Sequence, residues 1–247
     1  MKDIRVVIPA KNEEAMLPRL IDGLAAQKEV DFEVVLADAD STDRTAELAR
    51  AAGWSVVPGG LPGPGRNRGA EGATSEWLVF LDADNEIHDP FFLKKALAEL
   101  RERHLDFAAA WILPDAEGRL IDQVMMQLYN GYAFFTARVW PHAPGAGLFV
   151  KTSVFHRLHG FDETVVFAED QEFAHRMGKA GYHFGVLRSA PVFTSMRRFI
   201  RDGYGKIAYR LLKTEWYMRF HGPIRKELFP YDFADYPRQK KDKMPSV

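Results

Sequence analysis

The sequence predicts an α/β protein: a mostly parallel sheet flanked by helices, followed by a C-terminal helical extension. Three observations carry this. Short β-rich apolar runs alternate with helical apolar spacing over the first 105 residues, a pattern that builds parallel sheets covered on both faces. Carboxylate-rich clusters directly follow the apolar runs, at the strand ends where open α/β sheets bind ligands. Beyond residue 195, aromatic and basic residues recur at helical spacing.

The elements follow in order. Residues 4–8 form a buried strand, which Pro9 is expected to end. Asn12, Glu13 and Glu14 open a helix with Met16, Leu17, Leu20, Ile21 and Leu24 on one face. A second strand covers 32–37, and Ser41, Thr42 and Asp43 cap a helix to about residue 52. A short strand over 54–57 leads into a Gly/Pro loop over 58–65, then a helix over 66–72. Residues 77–81 are another buried strand, and Asp89-Pro90 starts a helix to about residue 103. The regular alternation then weakens. Strands are expected at 107–113, 148–151 and 182–187, with another ending before Thr194, and helices at 124–132, 170–180 and 199–220. The Pro- and Lys-rich stretch 230–247 reads as loose.

Composition narrows the function. The 247 residues carry 33 Lys and Arg against 34 Asp and Glu, and no cysteine. The missing cysteines exclude disulfides, thiolate zinc sites, Fe–S clusters and a cysteine nucleophile. A net charge of −1 argues against a nucleic-acid partner. The average conceals a split, because residues 196–247 hold 13 Lys and Arg against 6 Asp and Glu. Such a basic end suits an anionic surface. No apolar run approaches the roughly 20 residues that span a bilayer. A G-x-G-x-x-G after the first strand and a P-loop lysine are both missing, so neither a dehydrogenase nor a P-loop enzyme fits.

The chemistry-bearing residues sit at four predicted strand ends. These are 9–14, 38–43, 82–84 and 169–170. Carboxylates crowded on one rim repel each other unless a cation or a hydrogen-bonding ligand compensates. Asp82 and Asp84, one residue apart after a buried strand, can share a divalent cation that takes oxygen ligands. His88, His142, His175 and His183 are scattered, and no pair of them has zinc spacing.

Together these motifs resemble family 2 glycosyltransferases of the GT-A fold. Residues 7–14 (VIPAKNEE) resemble the family's opening strand, 38–43 (DADSTD) its D-D-G-S-T-D segment, and 65–69 (GRNRG) its A-R-N-x-G. Asp82-Ala83-Asp84 resembles its D-x-D, and 161–181 the region around its catalytic base. The resemblance covers about residues 3–190. Ala39, Asp40 and Gly65 depart from it, and the Q-x-x-R-W of processive synthases is missing.

The resemblance implies a Rossmann-like GT-A domain over 1–195, with a nucleotide-binding half (1–105), an acceptor-binding half (106–195) and an extension over 196–247. It implies nucleotide-sugar contacts at Pro9, Ala10, Asn12, Glu13, Asp38, Asp40, Arg66, Asn67, Asp82, Ala83, Arg197 and Arg198. Separately, the triplet Gly145-Ala146-Gly147 before the strand at 148–151 reads either as a close backbone approach to the sugar or acceptor, with Gly147 as the contact, or as a bend. It implies Mn²⁺ or Mg²⁺ on Asp84 and Asp82, and a general base at Asp170, with Glu169 as alternative or partner. The expected reaction moves one sugar from a UDP-, GDP- or TDP-sugar to an acceptor hydroxyl, with inversion. The acceptor is expected to be lipid-linked or a small metabolite. The expected location is the cytoplasm, at the inner membrane face, with anionic lipid and a second copy of the chain as further partners. A retaining GT-A enzyme, a sugar nucleotidyltransferase and a degenerate nucleotide-sugar-binding protein stay open as alternatives.

Overall fold

The computed structural model describes residues 2–116, 118–226 and 228. The expected loose segment 230–247 lies outside them. One eight-stranded sheet organises the chain. Its strands are β1 (Ile4–Ala10), β2 (Phe32–Asp38), β3 (Ser55–Pro58), β4 (Trp77–Phe80), β5 (Asn85–Glu86), β6 (Phe107–Pro114), β7 (Leu148–Lys151) and β8 (Phe184–Thr194). They lie in the order β3-β2-β1-β4-β7-β6-β8-β5. The first four pair in parallel, as the alternating pattern implies. The remainder is mixed: β7 runs antiparallel to β4 and β6, β8 runs parallel to β6, and β5 runs antiparallel to β8.

Two cores cover the sheet, because alternate residues of a strand face opposite sides. Val6 and Ile8 of β1 enter one core with α1 (Leu17–Ala25) and α4 (Phe92–Glu102). Val7 enters the other with Ala70 of α3 (Pro62–Ala70), Phe155 of α6 (Thr152–Arg157) and Phe173 of α7 (Glu169–Lys179). Gly69 of α3 lies so close to Val7 that a Cβ there would sit 2.3 Å from its Cγ1. That approach lets α3 lie directly on the sheet.

Several boundaries differ from the sequence expectation, each for a local reason. Strand β1 runs through Pro9, since β4 pairs it only as far as Val7 and no ladder bond to that neighbour is lost. Helix α1 starts at Leu17 rather than at Asn12. The N–H groups of Asn12, Glu13 and Glu14 instead donate to Ser41 Oγ, Thr45 Oγ1 and Asp43 Oδ2. Helix α2 (Thr45–Ala51) begins after Asp43, which accepts from the Thr45 N–H. The Gly/Pro loop supplies the first turn of α3, where proline costs no hydrogen bond. Strand β8 joins two expected strands across a bulge opposite Ala110 and Trp111. Helix α5 (Leu120–Thr136) is about twice the expected length, and α6 and β5 were not foreseen.

The extension forms α8 (Arg197–Asp202) and α9 (Tyr204–His221). Tyr204 donates to Asp122 Oδ1 of α5, and Trp140 Nε1 donates to Glu215 of α9. Among the described residues, no helix is long and apolar enough to cross a membrane.

Candidate active site

The carboxyl ends of β1, β2 and β4 form one rim. There Asn12 and Asp40 adopt left-handed backbone conformations, with φ of 54° and 55°. Both residue types tolerate that region better than most. The Asn12 side chain accepts from the Thr42 N–H, so the loops after β1 and β2 are locked together. Pro9 and Ala10 end the buried strand beneath this lock. Asp38 ends β2; its Oδ2 accepts from the Ser41 N–H at 3.2 Å. Its Oδ1 is buried without a hydrogen-bond partner among the described residues. A free buried carboxylate oxygen is an acceptor waiting for an N–H. Asp40 is exposed at the rim.

After β4, Ala83 is buried between Asp82 and Asp84. Arg197, at the start of α8, donates to both Glu13 oxygens at 2.8 and 3.0 Å and lies 3.4 Å from Asp84 Oδ2. Burial, then Asp82, pushes the Asp84 carboxyl up to about 7, and Arg197 only partly offsets them. Arg198 is exposed beside it and acts on Asp84 in the same direction as Arg197. The extension thus reaches back onto the first and fourth strand ends.

The second cluster is centred on Arg66 of α3, whose side chain is 4% exposed. It donates to Asp82 Oδ1 at 3.0 Å and to Glu169 Oε1 at 2.5 Å, and it lies over the Phe161 ring. Burial opposes its charge, but Glu169, Asp82 and Asp170 together raise its pKa. Glu169 and Asp170 open α7 after Ala168, which is left-handed at φ 57°. Burial raises both carboxyls, with Arg66 opposing. Asp170 accepts from the Gly145 N–H at 2.7 Å and from the Gln171 N–H at 2.8 Å. Glu169 is held by a cation, whereas Asp170 is held by backbone.

The sequence-selected residues therefore fall into two adjoining groups, joined where Arg66 meets Asp82. Two of them are engaged elsewhere. Asn67 pairs with the Phe161 backbone in both directions and donates to Glu163, which fixes α3 to the loop before α7. Gly147, with φ 128°, packs against β6, where a Cβ would sit 2.7 Å from that of Ala110. The close approach expected there is made by a strand. The other glycine of the triplet meets a side chain instead: Gly145 faces the Arg66 guanidinium, only 2.0 Å from where its Cβ would be.

Comparison with known proteins decides the family. The family model described as "Glycosyl transferase family 2" matches residues 5–158. The chain belongs to glycosyl transferase family 2. It is 36% identical over 102 residues to the 4,4'-diaponeurosporenoate glycosyltransferase of Staphylococcus haemolyticus, covering 38% of this chain and 27% of that protein. Among solved structures, S. aureus TarS 1–349 in complex with UDP superposes with a TM-score of 0.61 at 25% identity, covering 79% of this chain and 60% of that one. The Pyrobaculum calidifontis mannosyltransferase PcManGT, in complex with GDP-Man and Mn²⁺, superposes at 0.68 with 20% identity, covering 87% and 61%. The chain thus spans 27% to 61% of the length of these proteins. The fold of this family 2 chain is the GT-A one.

Proposed function

We propose that this family 2 chain transfers one sugar from a nucleotide-diphosphate sugar to an acceptor hydroxyl, with inversion and with Asp170 as general base. One observation carries the reading. The Arg66 guanidinium ion-pairs with Asp82 of the D-x-D and with Glu169, the neighbour of Asp170. The donor rim and the base-bearing helix therefore meet at one buried charge. Residues 1–105 are the donor half and 106–195 the acceptor half of this proposal.

Each side chain has a task that its surroundings suit. The free Asp38 Oδ1 accepts from the nucleobase. Pro9, Ala10 and Glu13 lie along the nucleoside, while Arg197 and Arg198 face the diphosphate. Asp84 and Asp82 are the residues that would hold Mn²⁺ or Mg²⁺. The fit rests on their oxygen donors and on Asp84, which burial leaves poorly compensated. When bound, the ion would neutralise charge developing on the departing diphosphate. TarS with UDP and PcManGT with GDP-Man and Mn²⁺ support this class of donor and ion. Asp170, whose raised pKa makes it a better base, takes the acceptor proton. The acceptor oxygen bonds to the anomeric carbon as the bond to the diphosphate breaks, and a single displacement inverts that carbon.

Screening UDP-, GDP- and TDP-sugars with Mn²⁺ against candidate acceptors should find a product whose anomeric configuration NMR shows inverted. Asp170→Asn should slow transfer ~10²–10⁴-fold with the fold intact. A retained anomer, or full activity in Asp170→Asn, would sink the proposal.

We infer further that the acceptor is presented at an anionic lipid surface. Leu120, Leu128 and Phe135 of α5 are 76%, 65% and 85% exposed, and Leu212 and Phe220 of α9 are 72% and 67% exposed. The two helices are neighbours, and α9 also carries Lys206, Arg210, Lys213 and Arg219. Apolar stripes beside basic residues suit interfacial insertion. Leu212→Ser with Phe220→Ser should weaken binding to anionic vesicles at least ~10-fold, given about 1.5–3 kcal/mol per buried side chain. Unchanged co-sedimentation rejects the idea.

A further inference from the structure

Three side chains that the donor chemistry does not use converge beside α7, beyond its first turn. They are His142 from the stretch between α5 and β7, His175 of α7 and Glu215 of α9. One ligand atom from each lies within 4.8 Å of the others. Both histidines are more than nine-tenths buried. Yet His142 Nδ1 and His175 Nε2 have no hydrogen-bond partner among the described residues. Buried polar atoms are almost always satisfied, so two bare imidazole nitrogens beside a carboxylate need a ligand.

We propose that His142, His175 and Glu215 bind a divalent transition-metal ion of the Zn²⁺ class, separate from the cation expected at Asp84. Two imidazoles and a carboxylate are zinc donors, and a water or a further oxygen completes four-coordination. His142 Nδ1 and Glu215 Oε1 are 3.4 Å apart, close to the ~3.3 Å edge of a tetrahedron with bonds of about 2.0–2.1 Å. Gln171, one turn before His175, also leaves a buried Oε1 unpartnered and is a candidate fourth donor. Trp140 donates to Glu215 Oε2 at 2.9 Å, the outer bond that orients a metal-binding carboxylate. Lys179 and Arg219 act on His175 from outside the cluster, and the Glu215 charge acts on His142.

The site is a staple with a consequence. His142 precedes by three residues the Gly145 whose N–H holds Asp170, and His175 follows Asp170 by five. Glu215 brings in the extension. An ion here joins α9, the Gly145 stretch and the base-bearing helix.

The test uses the full chain carrying Asp84→Asn, so that the rim cation does not contribute. After chelator dialysis, Co²⁺ is titrated and visible absorption recorded, and zinc is counted by elemental analysis after equilibration and desalting. One equivalent per chain is expected, with the intense absorption of four-coordinate Co²⁺. His175→Gln and, separately, the less buried Glu215→Gln should each weaken it more than ~100-fold. A folded chain that retains no zinc and gives no such absorption overturns the proposal, with a buried water left as the partner of these atoms. Binding that survives both substitutions overturns it equally.

Discussion

Arg66 and Arg197 each bridge carboxylates on one sheet rim, yet their surroundings differ. Arg66 lies inside the fold, 4% exposed, and ties two segments 103 residues apart. Arg197 is 34% exposed and belongs to the extension. The Arg66 cluster rests on an aromatic floor, where Phe80 meets Phe161 edge-on at 5.2 Å and Phe161 meets Phe173 at 4.7 Å. The Arg197 cluster contains the carboxyl whose shift reaches about 7. The buried cation serves as scaffold for the base-bearing helix, while the half-exposed one can yield to a ligand.

Matched substitutions break or sharpen this contrast. Arg66→Met leaves Glu169 and Asp82 without their buried cation and should cost about 3–5 kcal/mol of stability. Arg197→Met should cost less, about 1 kcal/mol, because the Arg197 side chain is 34% exposed and its charge is partly screened by solvent. Urea unfolding of both variants measures the difference. Equal costs would mean that the two clusters have the same structural weight.

The legible parts of this molecule were local. Buried strands such as β4 are short apolar runs, and the D-x-D follows one directly. Asp38 and Asp84 are recognisable because each stands beside such a boundary, whereas Asp170 opens helix α7 and the strand end expected before it is replaced by a loop. What connects them was not visible. Arg66 reaches Glu169 across 103 residues, and Asn67 reaches Phe161 across 94; neither pairing leaves a periodic trace. Helix α5 was read too short because apolar residues occur on its exposed side as well, which blurs the amphipathic contrast. Strand β5 is two residues long and exists only because β8 passes beside it. The Gly145-Ala146-Gly147 triplet signals a close approach but not its partner, because the use of Gly145 depends on Arg66 arriving from another helix.

The smaller expected effect lies in pH, and its sign separates the clusters again. Asp84 moves from an ordinary 3.8 to about 7 in the fold, so the folded state holds its proton more tightly than the unfolded chain. Between about pH 4 and 7 the folded state therefore binds more protons, and stability falls as pH rises. One such group contributes at most about 1.4 kcal/mol per pH unit. Glu169 and Asp170 are shifted in the same direction, so the Asp84 part is isolated by comparing metal-free wild type with Asp84→Asn. The variant should lose less stability over this range. Mn²⁺ competes with that proton, so its thermal stabilisation of wild type should grow from pH 5 to pH 8. That growth should be missing in Asp84→Asn. It should persist in Glu169→Gln, because Glu169 faces Arg66 and not the Asp84 carboxyl. Superimposable pH profiles for wild type and Asp84→Asn would show that the half-exposed cluster is already neutralised by Arg197 and has no charge left for a cation to meet.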